Sequence, residues 1–175
     1  MNIYKSAGVI AGMLLGVIFL VIIFRFANNN KKAKTDYDER QKAMRGEAYK
    51  AAFFTLLAFE MLMVILSAGN FSLPMESYLT HTLGIFLSCT VLGCCFIWKD
   101  AYWGMNNDRK RYLIIAGALA VLNIIPVIRT LIAGEMIVDG KLTDVFLNLM
   151  VLVMLAAMGI TGLIRTNLDK NAGED

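Results

Sequence analysis

Residues 7–24 read AGVIAGMLLGVIFLVIIF, an 18-residue run without a polar side chain. A bilayer core needs ~20 mostly apolar residues per helix, so this run predicts a transmembrane helix. The apolar run of a secretory signal peptide is usually only ~7–15 residues long and ends at small residues. Here Arg25, Phe26 and Ala27 follow instead. We therefore expect a retained membrane anchor at this position.

Further apolar stretches of similar length occupy most of the remaining chain. The hydrophobic fraction is 58% and the mean hydropathy is +0.60, whereas soluble domains contain ~45–50% apolar residues. No polar domain remains that could bury these stretches inside a soluble protein. The composition therefore predicts an all-α fold, a polytopic membrane helical bundle of five transmembrane helices that forms one integral-membrane domain over 1–175. The four further spans are expected at 51–69, 78–98, 112–133 and 144–164.

The basic residues alternate between the linkers and predict the orientation of the bundle. Most of them follow span one, span three or span five: Arg25, Lys31, Lys32, Lys34, Arg40, Lys42, Arg45, Lys50, Lys99, Arg109, Lys110, Arg111, Arg165 and Lys170. The opposite side holds only Lys5, Lys141 and Arg129, the last inside the end of span four. Because basic loops stay in the cytoplasm, we expect the amino terminus outside and the carboxyl terminus inside. The net charge of +3 then indicates anionic lipid headgroups as the partner, and no nucleic acid.

The polar segment 28–50 predicts a cytoplasmic helix over about 36–50 that continues into span two. Thr35 or Asp36 is the expected N-cap, and Gly46 is a candidate bend. Two interpretations remain open. The segment is either a solvated lead-in to span two or a docking surface for a second copy of the chain or another membrane protein. The residues of the docking interpretation are Tyr37, Asp38, Glu39, Arg40, Gln41 and Arg45.

The same segment carries a motif with a resemblance to a known group. Residues 37–41 read YDERQ, and RG at 45–46, YK at 49–50 and FFT at 53–55 follow. This pattern resembles a motif of small multi-pass membrane proteins of Gram-positive bacteria. The resemblance covers about 20 residues and the general layout of the spans. It implies an integral protein of the bacterial plasma membrane, and it implies no chemistry.

A few polar side chains lie inside the apolar spans, where a charged group costs ~2.5–3.5 kcal/mol or more. They are Glu60, His81, Asn123, Arg129 and Asp144. We expect Glu60 near the bilayer midplane and His81, Arg129 and Asp144 in its outer third. The pairings that this layout favours are Glu60 with Asn123 and Arg129 with Asp144. Such pairs act either as contacts between helices or, with Glu60 as the site, as a path for protons or ions.

Glycines and turn residues predict finer features. Gly8, Gly12 and Gly16 form two overlapping Gly-x-x-x-Gly steps, which favour close helix packing within the chain or between copies. Asp139-Gly140 between two short apolar arms predicts a β-hairpin, followed by a cap at Thr143 or Asp144. Ser77 is the expected N-cap of span three. The three cysteines lie in span three without a Cys-x-x-Cys spacing, which indicates packing residues.

No catalytic motif is found in the sequence. The single histidine excludes an intrachain His-x-x-x-His metal site, and no Gly-x-Ser-x-Gly elbow or phosphate-binding glycine loop is present. We therefore expect no catalytic, metal or cofactor site. The favoured function is a non-catalytic accessory, regulatory or assembly component. The alternative is a small transporter or channel with Glu60 as its site, which would need an internal repeat or an oligomer.

Overall fold

The chain divides into two compact units, Met1–Asp36 and Tyr37–Asp175. The computed structural model describes residues 37–103 and 109–171 of the second unit, without the side chains of 109–112, and three residues of the first. Those three, Ile18, Val21 and Ile22, are helical and exposed. The rest of the expected first span, with its three glycines, lies outside the described residues. Span one and a single domain over the whole chain stay predictions.

Four long helices make up the described part of the second unit. Each is long and apolar enough to cross a membrane, which is the architecture of a helical multi-pass membrane protein. Four of the five expected spans are thereby confirmed as apolar helices, with small shifts at their ends. The helices are α1 (Glu39–Ala68), α2 (Ser77–Trp98), α3 (Arg109–Ala133) and α4 (Phe146–Asn171).

Helix α1 joins the expected cytoplasmic helix and the expected second span into one element of 30 residues. It is continuous through Gly46. Its N-cap is Asp38, whose Oδ1 accepts a hydrogen bond from the Gln41 N–H at 2.6 Å. The predicted cap at Thr35 or Asp36 is therefore wrong, because the helix begins only at Glu39. A helix of this length extends over about 45 Å, longer than the bilayer core.

Helices α1, α2 and α3 end in the same way. Asn70, Asp100 and Gly134 have positive φ angles of 57°, 52° and 71°, and the N–H of the following residue bonds back to a carbonyl five positions earlier. This is the Schellman motif, which satisfies carbonyls at the helix end. The start of α2 differs from the prediction. Glu76 holds the N-cap position without a side-chain cap bond, and Ser77 is the first helical residue.

The predicted hairpin between spans four and five is confirmed. Strand β1 (Ile137–Val138) pairs antiparallel with β2 (Lys141–Leu142). The two residues between them, Asp139 and Gly140, have φ angles of 51° and 75°, as a type I′ turn requires. Helix α4 then begins at Phe146, whose N–H bonds to the carbonyl of Thr143 at 3.0 Å.

The helices pack in the order α1, α2, α4, α3. Antiparallel α1 and α2 are joined by a hydrogen bond from Ser88 Oγ to the Ala52 carbonyl at 2.8 Å. Helices α2 and α4 run parallel, since Tyr78 meets Asp144 near their starts and Gly93 meets Met158 farther along. The described part of the chain thus contains two helical hairpins, α1–α2 and α3–α4, that contact each other through α2 and α4. Helix α1 packs on α2 and helix α3 packs on α4, without close packing between the described residues of α1 and α3.

Small residues allow this close packing. Ala48 and Ala52 are buried on the face of α1 that contacts α2, and the Cβ of an alanine at position 84 would overlap the Phe59 ring. Added at position 93, a Cβ would lie 2.7 Å from Met158 Sδ. Most large apolar side chains of the four helices are exposed. This distribution suits helices surrounded by lipid, where van der Waals packing holds neighbours together.

We predict that Gly84→Ala destabilises the protein by about 1–3 kcal/mol, because overpacking strains a close contact. Gly93→Ala should have a smaller effect, because the thioether end of Met158 moves more easily than a phenyl ring. Gly117→Ala in α3 is the matched control, since no atom lies within 4 Å of the added Cβ. Thermal unfolding in detergent measures all three. Equal stability of the Gly84 and Gly117 variants would contradict the packing between α1 and α2.

Candidate functional site

Polar side chains gather at the two ends of the bundle. The latch end contains the start of α1, the end of α2 and residues 99–103 after it. The hairpin end contains the linker 69–76, which joins α1 to α2, and the turn 134–145, which joins α3 to α4. Each end contains part of the candidate site residues.

The centre of the latch end is the Arg45 side chain. Its guanidinium carbon lies 4.2 Å from the ring centroids of both Tyr37 and Phe96. Nη1 donates to the carbonyl of Ala101 at 3.0 Å, and Nη2 donates to the Tyr49 hydroxyl at 3.2 Å. Each cation–π contact is worth about 0.5–2 kcal/mol, depending on desolvation. The guanidinium therefore ties α1 both to α2 and to the chain segment that follows it.

Gln41 adds a second tie one helical turn earlier. Its Nε2 donates to the carbonyls of Asp100 at 3.1 Å and Trp103 at 3.2 Å. These carbonyls are accessible because the Schellman turn at Asp100 ends α2 there. We call the contacts of Gln41 and Arg45 with residues 96–103 the arginine latch. It holds backbone groups of a loop at fixed positions.

A third tie joins Glu47 of α1 to Lys99, whose ammonium also lies 4.0 Å from Met44 Sδ. The hydrogen bond and the charge of Lys99 hold the pKa of the Glu47 carboxyl below its usual range. Because the pKa is lowered in the folded protein, this contact stabilises it at neutral pH. The contribution is lost as the pH falls through the lowered pKa.

The latch divides the expected docking residues into two sets. Tyr37, Gln41 and Arg45 recur every four residues, face α2 and are half-buried. Asp38, Glu39 and Arg40 are exposed on the other side of the helix. Glu39 forms an ion pair with Lys42 at 2.7 Å. Three of the six residues therefore belong to an internal contact, and the other three remain on the surface.

Glu60 pairs with His81 at the interface of α1 and α2. Glu60 Oε2 lies 2.8 Å from His81 Nδ1, and the side chains are 35% and 55% exposed. The expected difference in depth is therefore wrong, because residues in contact lie at the same level. A count outward from the linker 69–76 does not predict this pair, because Glu60 lies nine residues before the linker and His81 five residues after it. The register of α1 against α2 is set instead by their close contacts, such as Gly84 with Phe59.

The two expected pairings do not form. Asn123 donates to the Leu119 carbonyl of its own helix at 2.7 Å, and the described part of α3 does not pack closely on α1, which carries Glu60. Asp144 accepts a hydrogen bond from the Tyr78 hydroxyl. Arg129 has no hydrogen-bond or ion-pair partner within 37–103 and 109–171.

The linkers at the hairpin end contact each other. The Leu142 N–H donates to the Pro74 carbonyl at 2.8 Å, and Lys141 Nζ lies 2.8 Å from Glu76 Oε1. This ion pair occupies the carboxylate that would otherwise cap α2. An open cavity of about 680 Å³ lies between the end of α1, the linker 69–76 and His81. Sequence patterns treat each linker separately and therefore missed this contact.

The cysteines are free thiols in α2. Cys89 is exposed, and Cys94 and Cys95 are half-buried. Across the described ranges, no three His, Cys, Asp or Glu side chains form a group that could hold a metal ion.

Comparison with known proteins adds no assignment. The chain matches no protein-family model, no curated protein and no solved structure. The resemblance carried by the 37–55 motif stays a prediction.

We predict that Arg45→Ala destabilises the protein by about 2–3 kcal/mol, since it removes the ring contacts and two charged hydrogen bonds. Arg45→Lys should recover part of this loss, because an ammonium keeps the charge without the planar fork. Arg40→Ala is the matched control on the exposed face of α1. Chemical denaturation in detergent measures all three variants. A loss for Arg40→Ala equal to that for Arg45→Ala would contradict the latch.

Proposed function

We propose that this protein is a non-catalytic assembly or regulatory component of the bacterial plasma membrane. It acts through contacts between helices and through the exposed face of α1 at the latch end. The observation that carries this proposal is that the polar side chains within the four described helices do not converge on one point. They are distributed over separate contacts between helices.

Two of these contacts join neighbouring helices. The Glu60–His81 pair links α1 to α2, and the Tyr78–Asp144 hydrogen bond links α2 to the turn immediately before α4. Asn123 bonds only to its own helix. Catalysis needs reactive groups within reach of one reacting atom. Pairs that each join two helices support a role in assembly instead.

The predicted orientation places the latch end in the cytoplasm. The basic residues of the first and third linkers support it, because such residues stay on the cytoplasmic side. The amino terminus is then outside and the carboxyl terminus inside. Anionic headgroups adjoin the basic residues of this end. The partner face consists of Asp38, Glu39 and Arg40.

The second candidate is a small transporter with Glu60 as its proton or ion site. Two observations favour it. The paired hairpins resemble the repeated units from which many transporters are built. The Glu60–His81 pair also lies beside the open cavity of about 680 Å³, which His81 lines.

We expect charge reversal on the partner face to weaken partner capture without loss of stability. The protein, tagged after Lys170, is crosslinked in native membranes and purified. Arg40→Glu should reduce a stoichiometric partner at least fivefold, because a surface charge pair becomes repulsive. Lys50→Glu, with the same charge change farther along α1, is the control. Undiminished capture by the Arg40 variant, or no stoichiometric partner for the unaltered protein, would contradict the proposal.

Flux measurements decide between the two candidates. In proteoliposomes that contain a pH-sensitive dye, we expect no proton flux above that of empty liposomes. Glu60→Gln should unfold at nearly the unaltered temperature, because an amide also bonds to His81. Glu60→Leu should lose about 1–2 kcal/mol. Flux that disappears in the Glu60→Gln variant would establish the transporter and overturn the assembly role.

A further inference from the structure

The last turns of α3 carry a cation, Arg129, that has no partner among the described residues. Arg129 is the only lysine or arginine in the apolar parts of the four described helices. Within 37–103 and 109–171 it makes no hydrogen bond or ion pair. A guanidinium at the edge of the hydrocarbon region is costly unless it reaches a polar group. Its partner must therefore come from outside this part of the chain.

A carboxylate lies beside this cation. Arg129 and Glu135 line one cavity of about 190 Å³, together with Pro126, Thr130 and Ala133. The Schellman turn fixes Glu135 there, since its N–H donates to the Thr130 carbonyl at 3.0 Å. The two charges do not form an ion pair with each other, and Glu135 has no side-chain partner among the described residues. One cavity thus offers a positive and a negative group side by side.

The surroundings of this cavity are those of the boundary between headgroups and acyl chains. Arg129 lies about one turn before the end of α3. The neighbouring Ile125, Ile128 and Ile132 are 51%, 47% and 83% exposed. Helix α3 packs on α4 alone among the described helices. A long arginine side chain in this position extends its charge to headgroup level.

We propose that this cavity binds a phospholipid with a primary ammonium headgroup, phosphatidylethanolamine. The Arg129 guanidinium binds the phosphate, a group that its planar fork fits with two hydrogen bonds. The Glu135 carboxylate accepts hydrogen bonds from the ammonium. The acyl chains lie along the exposed isoleucines. A glycerol headgroup gives the carboxylate no cation, and a quaternary ammonium gives it no N–H donor.

Native mass spectrometry of the purified full chain in detergent tests this site. Phosphatidylethanolamine, phosphatidylglycerol and phosphatidylcholine with identical acyl chains are added in equal amounts. The unaltered protein should retain phosphatidylethanolamine about fivefold over each of the others, the ratio expected from one headgroup charge contact. Arg129→Gln should reduce retention of all three lipids, because their phosphates are alike. Glu135→Gln should remove the preference and leave phosphate binding intact.

Two control variants separate this site from general surface charge. Asp139→Asn removes a carboxylate from the adjacent turn, and Arg40→Gln removes a cation at the opposite end. Both should keep the lipid preference of the unaltered protein. Equal retention of the three lipids by the unaltered protein would overturn the proposal. So would an unchanged preference in the Glu135→Gln variant, or a dimer that Arg129→Gln dissociates, because the partner of Arg129 would then be a second copy.

Discussion

The parallel packing of α2 against α4 is the contact on which the rest of the described bundle depends. Three contacts along this interface share one register, because the two residues of each pair are 65 or 66 positions apart in the sequence. The pairs are Tyr78 with Asp144, Gly93 with Met158 and Ile97 with Gly162. Helix α1 then attaches to α2, and α3 attaches to α4. In a bilayer, where water does not drive helices together, such close contacts determine which helices are neighbours. Their order decides which polar groups can meet.

Different interactions hold the two hairpins. Helix α1 is tied to α2 by the arginine latch at one end and by Glu60–His81 closer to the other. For α3, no corresponding side-chain tie to α4 is found among the described side chains. Arg129 and Glu135 therefore remain available on that side of the protein. The two helical hairpins have the same chain direction, but their helices are joined by different side-chain contacts. A function of one helical hairpin therefore need not be repeated in the other.

The helices and the Asp139-Gly140 turn could be predicted because their signals are local. Apolar length and two adjacent turn residues need no knowledge of the rest of the fold. The partners of Glu60 and Asp144 could not be predicted from depth alone, because many residues share one level of a bilayer. Helix order decides among them. That order depends on close contacts such as Gly84 with Phe59, and a hydropathy pattern does not reveal such contacts. Which residues of 37–45 face inward also depends on the position of α2. The sequence of this segment alone does not separate Tyr37, Gln41 and Arg45 from their exposed neighbours.

The length of α1 explains where the latch lies. At about 45 Å it exceeds the hydrocarbon core by about 15 Å, so the turns around Arg45 extend past the apolar part of the helix. There α2 ends at Trp98, and its Schellman turn presents carbonyls to Gln41 and Arg45. In hydrocarbon the guanidinium would be costly, and in open water its ring contacts would be weak. Between these two environments the charge stays partly solvated while Tyr37 and Phe96 shield it. The contacts of Tyr37, Gln41 and Arg45 therefore have the chemistry expected at a membrane boundary.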